Sequence, residues 1–253
     1  MALSLATLFR LCYCVAMYKK TLIVGASRGL GFSVAIHIPL HLESAEELTL
    51  VSRRSEVLED IRKKYTTLVP GKALKFPTVK TLVRDLNNVN HLEQLTEVVA
   101  REDFDLVIYC AGGGPHGEFT KKRWGDHLWA LQVGLLAPIR LAHAWLGSRQ
   151  SKEPGRFVIV GSSIAESEPD PLGSSYTASK HGLVGFVSTI QLELATGQNK
   201  IWLFSPGYMD TEMLPPSAHV RHDGSNIMKP EFVAQEMLSW LKKGEGPWHL
   251  VVS

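Results

Sequence analysis

Thr21-Leu-Ile-Val-Gly25-Ala-Ser-Arg-Gly29-Leu-Gly31 carries a short apolar run directly into a glycine-rich turn. A run with almost no polar alternation reads as a strand buried on both faces. The glycines that follow let a backbone approach a pyrophosphate, whose charge then rests on the N-terminus of the next helix. The turn therefore nominates Gly25, Ser27, Arg28, Gly29, Leu30 and Gly31 as cofactor-binding residues. Its spacing, G-x-x-x-G-x-G, differs from the more familiar G-x-G-x-x-G.

Working outward, the β-rich apolar runs lie at 21–24, 48–52, 81–83, 106–110, 157–161, 201–204 and 249–252. Amphipathic stretches at 89–101, 124–146, 176–196 and 230–243 separate the later ones and predict helices. Regular β–α alternation means a parallel sheet with helices on both faces. The reading is an α/β fold: a single Rossmann-type doubly wound domain over residues 17–253, with a sheet of about seven strands. Pro39 is expected to make the first helix short or kinked. With 253 residues, 45% of them apolar, and no repeat or long linker, one large core is within reach.

Residues 1–16 read as an N-terminal extension, because Met17-Tyr-Lys-Lys-Thr resembles a natural start. A weak membrane-associating helix is the alternative for them. Arg10 interrupts their apolar run, which is short for a span, so membrane association is not expected. A formal net charge of +2 argues against a nucleic-acid partner. Cys12, Cys14 and Cys110 form neither a disulfide framework nor a metal-ligand spacing, which suits a reducing, cytoplasmic location and no metal.

The second predicted strand ends in Ser52-Arg53-Arg54. An acidic residue here would take a ribose 2′-hydroxyl, whereas arginine accommodates a 2′-phosphate. Arg28 adds a second positive charge, and forked guanidinium groups suit phosphate oxygens. The nearest carboxylate along the chain, Glu56, comes later, so these arginines are expected to meet no competitor. The expectation is NADP(H) rather than NAD(H).

A second decisive stretch is Tyr176-Thr-Ala-Ser-Lys180, with Ser163 thirteen residues upstream. At i and i+4 the phenol and ammonium share a helix face. The ammonium favours ionisation of a hydroxyl whose ordinary pKa is about 10. A serine hydroxyl at the same point would hydrogen-bond a substrate oxygen, completing equipment for moving a proton onto or off a carbonyl or alcohol.

Together these pieces resemble the short-chain dehydrogenase/reductase family, in its single-domain branch of about 250 residues. The motifs run in order from Gly25–Gly31 through Asp85-Leu86, Ala111-Gly112, Ser163 and Tyr176-x-x-x-Lys180 to Pro206-Gly207 and Thr211. The resemblance implies that Asp85 meets the adenine amino group beside Leu86, while Ala111 and Gly112 lie along the adenosine ribose. It implies that Ser163 polarises the substrate carbonyl, Tyr176 exchanges the proton, and Lys180 also binds the nicotinamide ribose. Pro206, Gly207 and Thr211 would position the nicotinamide. Asp85 has a second reading as a turn or helix-cap residue before Asn87-Asn88, and Ser162 is the rival of Ser163.

The chain departs from the family pattern at two places. Tyr109-Cys110-Ala111-Gly112 stands for Asn-Asn-Ala-Gly, so a sheet-stabilising asparagine is replaced and Cys110 reads as a small buried apolar residue. Gly134 stands where many members carry an asparagine that keeps a water beside the lysine. Gln132 points about 200° away on a helix and does not replace it. A glycine there either serves close packing or leaves room for water, since in a helix it costs about 1 kcal/mol against alanine.

Met209, Met213, Leu214, Pro215, Pro216, His219, His222 and Met228 make the segment that would cover a substrate, with the two histidines read as solvated. The long fourth and fifth helices carry broad apolar surfaces, consistent with the helix-pair contacts of relatives. A homodimer is expected in preference to a tetramer. The leading expectation is an NADPH-dependent oxidoreductase that reduces an aldehyde or ketone, a small-molecule carbonyl or alcohol being the substrate. The alternative is an NADP-binding regulatory or sensor protein with reduced or no turnover.

Overall fold

The computed structural model describes residues 18–67, 77–150, 153–163, 171–214 and 227–253. The reading of residues 1–16 as an extension therefore lies outside the described residues. Seven parallel strands form one sheet in the order β3-β2-β1-β4-β5-β6-β7. They are β1 (Lys20–Val24), β2 (Glu47–Ser52), β3 (Thr78–Val83), β4 (Leu106–Tyr109), β5 (Arg156–Val160), β6 (Lys200–Pro206) and β7 (His249–Val252). The helices are α1 (Gly29–His41), α2 (Ser55–Thr67), α3 (Val89–Glu102), α4 (Trp124–Leu131), α5 (Ala137–Ser148), α6 (Ser174–Glu193) and α7 (Pro230–Lys243).

The strands are buried because alternate side chains serve two cores. Ile23, Leu48, Leu50, Ile108, Val158 and Phe204 face α1, α2 and α7. Leu22, Val24, Val107, Tyr109, Ile159 and Leu203 face α3, α5 and α6. Each fully buried aliphatic or aromatic side chain contributes about 1.5–3 kcal/mol, so the two layers hold the sheet independently of local propensity. Trp145 is fully buried, donates its indole N–H to Phe104 O at 2.7 Å, and meets Phe157 edge-on with centroids 5.8 Å apart.

Helix ends follow their sequence signals. Asn88 caps α3 by accepting from His91 N, and Asp103 closes it in a left-handed conformation at φ 46°. α7 begins with Pro230, carries Lys242 and Lys243 in its last turn, and ends at Gly244 with φ 68°. Pro39 does not stop α1, which runs on to His41 and closes with Leu42 N donating to Ile38 O. So close to the end, the proline disturbs little more than the last turn. The expected single helix over 124–146 is instead α4 and α5 joined by one π-type turn, Gln132–Leu136, in which Ala137 N donates to Gln132 O.

Strand order reverses between β1 and β4, each flanked on its other side by sequence-adjacent partners. In a parallel sheet the crevice at the carboxyl ends of such strands is where ligands bind. At the opposite end Arg149 is sealed from solvent. It pairs with Asp103 Oδ1 at 3.1 Å and Asp105 Oδ1 at 3.2 Å, and donates to Asn199 Oδ1 at 2.9 Å. The sheet is thus stapled at its base and open at its top.

Candidate active site

A cavity of about 510 Å³ opens at that reversal point. Its floor is the glycine turn. Gly25 takes φ 90°, and a Cβ on it would lie 2.6 Å from Ala111 N, so only glycine lets β1 and β4 deliver their ends this close. Gly31 is pressed on Gly25 O, where a Cβ would approach to 2.2 Å. The first turn of α1 has no side-chain cap and no acidic residue, leaving its N–H groups to a ligand anion.

Of the expected cofactor residues, Gly25, Ser27, Arg28, Gly29, Leu30, Gly31, Arg53, Asp85, Leu86, Ala111, Gly112, Lys180, Pro206, Gly207 and Thr211 line the wall. Arg54 is not part of the wall but reaches a residue that is, with Nη2 3.8 Å from Glu212 Oε2. Asp85 takes the local-turn role read for it and lies on the cavity wall, its Oδ1 accepting from Asn87 N at 3.0 Å.

One expectation about the arginines fails. A carboxylate does meet them: Glu212 Oε2 lies 2.8 Å from Arg28 Nη1. It comes from the segment after β6, far away in sequence, so chain distance from Glu56 was the wrong measure.

α6 presents Tyr176 and Lys180 to the cavity, one turn apart. Lys180 is 4% exposed, its Nζ donates to Val160 O at 2.7 Å, and it lies 5.6 Å from the Tyr176 ring centroid. Burying an ammonium is costly unless it is hydrogen-bonded, and the β5 carbonyl supplies that bond. Ser163 borders the wall through Gly207, whose Cβ, if present, would sit 3.5 Å from Ser163 Oγ. Its rival Ser162 lines the cavity itself.

The start of α6 is braced by the loop between β4 and α4. Gly117 N and Lys122 Nζ both donate to Leu172 O at 3.0 Å, holding Leu172 at φ 72°, a strained value for leucine. Buried His127 joins Ser175 Oγ at 2.5 Å through Nδ1 and Phe119 O at 3.1 Å through Nε2. The residue before Tyr176 is thereby tied to α4.

Two sequence departures acquire physical content here. Tyr109 replaces the expected asparagine and donates its hydroxyl to Val133 O at 2.6 Å, and burial pushes its phenol well above the usual range. Gly134 serves close packing rather than leaving a gap: a Cβ would lie 2.8 Å from Ser179 Oγ. Cys110 is half-buried on the cavity wall, and desolvation raises its thiol to about 12, offset only in part by Lys180, which disfavours the thiolate.

Several wall residues escaped the sequence reading. Gly113 and Gly114 continue the Gly112 run. A Cβ on Gly114 would meet Tyr176 Cβ at 2.6 Å, and one on Gly113 would meet Met213 Cε at 2.9 Å and Trp129 Cη2 at 3.3 Å. The triple glycine was visible as a signal; Trp129 and Glu212 had none. Arg84, directly before Asp85, also lines the cavity, and its Nε is buried with no hydrogen-bond partner. Of the substrate-covering segment, Met209, Met213 and Leu214 line the wall, and Met209 bridges to Met228. Pro215, Pro216, His219 and His222 lie outside the described residues.

Comparison with known proteins agrees with this architecture. The chain is 28% identical over 197 residues to a dehydrogenase/reductase SDR family protein 7-like from Anopheles gambiae, covering 77% of this chain and 60% of that protein. It is 29% identical over 203 residues to a hydroxysteroid 11-beta-dehydrogenase 1-like protein from Gallus gallus, covering 76% and 65% respectively. The chain thus spans less than two thirds of the length of these relatives. A short chain dehydrogenase from Burkholderia cenocepacia J2315 in complex with NADP superimposes with a TM-score of 0.78 at 21% identity, over 94% of this chain and 97% of that one. Among the described residues no helix is long and apolar enough to cross a membrane. The short chain dehydrogenase family model matches residues 19–221, and the chain belongs to that family of oxidoreductases.

Proposed function

We propose that this oxidoreductase uses NADPH to reduce an aldehyde or ketone to an alcohol, reversibly, with Ser163, Tyr176 and Lys180 as its catalytic residues. The observation that carries the reading is a buried lysine beside Tyr176 at one part of a cavity whose wall elsewhere holds Arg28, Arg53 and Arg84.

The residues present fit such a cofactor. The uncapped first turn of α1 and the glycine turn would receive the pyrophosphate. Arg28, Arg53 and Arg54 would hold a 2′-phosphate, and the unpartnered Nε of Arg84 offers one more donor on the same wall. Asp85, Leu86, Ala111 and Gly112 would border the adenosine, with Pro206, Gly207 and Thr211 at the nicotinamide. When bound, NADPH supplies the hydride.

The chain's own residues then handle the oxygen. Ser163 would hold the substrate carbonyl and Tyr176 would give it a proton. The Lys180 ammonium, fixed by Val160 O, favours that transfer electrostatically and sits against Gly112, where a Cβ would lie 3.6 Å from Nζ. Trp129, Met213 and Leu214 supply an apolar wall that suits a carbonyl on an apolar skeleton. The Gallus gallus relative's name, a hydroxysteroid dehydrogenase-like protein, supports the same substrate class. A cytoplasmic homodimer, in preference to a tetramer, completes the reading.

The test is NADPH oxidation by the purified protein across a panel of aldehydes and ketones. Tyr176→Phe is expected to lower kcat by about 10²–10⁴-fold, the usual contribution of a positioned acid. Undiminished activity in that variant would remove Tyr176 from the chemistry. NADPH binding without turnover on any panel member would favour the sensor alternative, which Gly134 motivates because it supplies no side chain for a proton relay.

A further inference from the structure

The segment after β6 touches the cavity wall at several separate places. Met209 is tied back to Met228 by a β-bridge, and Asp210 N donates to Met228 O at 2.9 Å. Thr211 Cγ2 lies over the glycine turn, 3.3 Å from where a Cβ on Gly29 would stand. Met213 packs on Gly113. Between Thr211 and Met213, Glu212 extends its carboxylate to Arg28 at 2.8 Å and to Arg54 at 3.8 Å. Among the described residues, the acidic side chain paired with these arginines therefore belongs to the element that carries an expected nicotinamide contact.

We infer that Glu212 is a specificity-determining residue: its carboxylate is the protein's own occupant of the Arg28–Arg54 pair, and a cofactor 2′-phosphate binds by displacing it. This rests on the NADP(H) reading of the cavity. A carboxylate and a phosphate recruit the same guanidinium N–H groups. Left in place, Glu212 would face a phosphate carrying nearly two negative charges, and like charges at that range repel. All three side chains are at least a third exposed, so the ion pair is weakly held and can be exchanged. NAD(H), which lacks the 2′-phosphate, presents only a neutral hydroxyl at that point and leaves the pair closed. The wild-type preference for NADP⁺ over NAD⁺ is accordingly smaller than the arginines alone would give.

The experiment titrates the purified protein with NADP⁺ and, separately, NAD⁺, reading Kd by calorimetry, with no turnover required. Glu212→Gln keeps the size and removes the charge. It is expected to tighten NADP⁺ about fivefold, the range of exposed ion pairs, and to change NAD⁺ by less than about twofold. In an Arg28→Ala/Arg54→Ala background the same substitution is expected to leave the NADP⁺/NAD⁺ ratio unchanged. If the ratio depends on the arginines but not on Glu212, the competition is overturned and the cofactor reading stands. If the ratio is indifferent to the arginines, the 2′-phosphate assignment fails and the inference falls with it.

Discussion

Adding a single methyl group at Gly134 tests how α6 is held. A Cβ there would stand 2.8 Å from Ser179 Oγ and 3.1 Å from Ser179 Cβ, about 0.6 Å inside the 3.4 Å at which ordinary contact begins. Ser179 cannot swing away freely, because its Oγ donates to Tyr176 O at 2.7 Å within α6. The backbone of α6, with Tyr176 and Lys180 on it, must then move against the π turn. Overpacking of this kind costs about 1–3 kcal/mol. Replacing a helical glycine recovers about 1 kcal/mol, so the net loss is at most about 2 kcal/mol. For a chain of this size that lowers Tm by less than about 8 °C.

Activity is more sensitive than stability. A 1 Å misplacement of reacting groups costs about 10²-fold, so half that distance should cost about tenfold in kcat. Gly134→Ala and Gly134→Asn are both expected to fall that far in NADPH-dependent carbonyl reduction while still melting cooperatively. Adding Ser179→Ala to Gly134→Ala removes the nearest atom and should return part of the lost rate, which a double-mutant cycle would read as coupling. A Gly134→Asn enzyme as fast as wild type, or faster, at unchanged Tm would refute the packing argument. That result would mean the position lacks only the family's usual side chain, with space to receive it.

Two further predictions concern stability. Arg149→Ala leaves Asp105, 15% exposed, without its sealed guanidinium partner at a cost of about 3 kcal/mol, the 36% exposed Asp103 adding little. A thermal melt should drop by at least about 6 °C. Tyr18 is fully buried, its hydroxyl has no hydrogen-bond partner, and burial pushes its phenol to about 12 despite Arg156 nearby. Because the folded-state value lies above the unfolded one, this stability is complete below about pH 10 and is lost as pH rises through about 12. The slope is about 1.4 kcal/mol per pH unit in that window. Tyr18→Phe should flatten it and, by deleting an unsatisfied hydroxyl, cost little at neutral pH, both readable from urea unfolding across pH.

The fold was legible because buried parallel strands announce themselves as unbroken apolar runs, and six of the seven were located to within a residue or two at either end. The exception is instructive. β3 begins at Thr78, three residues before the expected 81, since as an edge strand it alternates exposed Thr78 and Lys80 with half-buried residues and lacks the continuous run. The glycine turn, the Tyr176–Lys180 pair and the strand-end arginines were legible for a similar reason: each is a local pattern whose spacing carries its geometry. What escaped was built by tertiary approach. Glu212 reaches Arg28 across 184 positions, and His127 reaches Ser175 across 48. No local spacing encodes either contact.

The same distinction explains why the two departures from the family pattern looked unrelated in sequence and are neighbours in space. Tyr109 fixes Val133 O, and the next residue is Gly134. One holds the π turn to β4, and the other lets that turn lie against Ser179 on α6. A phenol long enough to reach the turn replaces a short amide, and a residue with no side chain stands where the turn meets α6. Val133 lies within the π turn, and its carbonyl accepts the Tyr109 hydroxyl from the end of β4. The segment leaving β4 supplies the Ala111–Gly112 wall beside Lys180, so the placement of Lys180 against that wall is linked to a contact chain running from Tyr109 through Val133 and Gly134 to Ser179. Substitutions along that chain should therefore act on the placement of Tyr176 and Lys180 before they act on the integrity of the sheet.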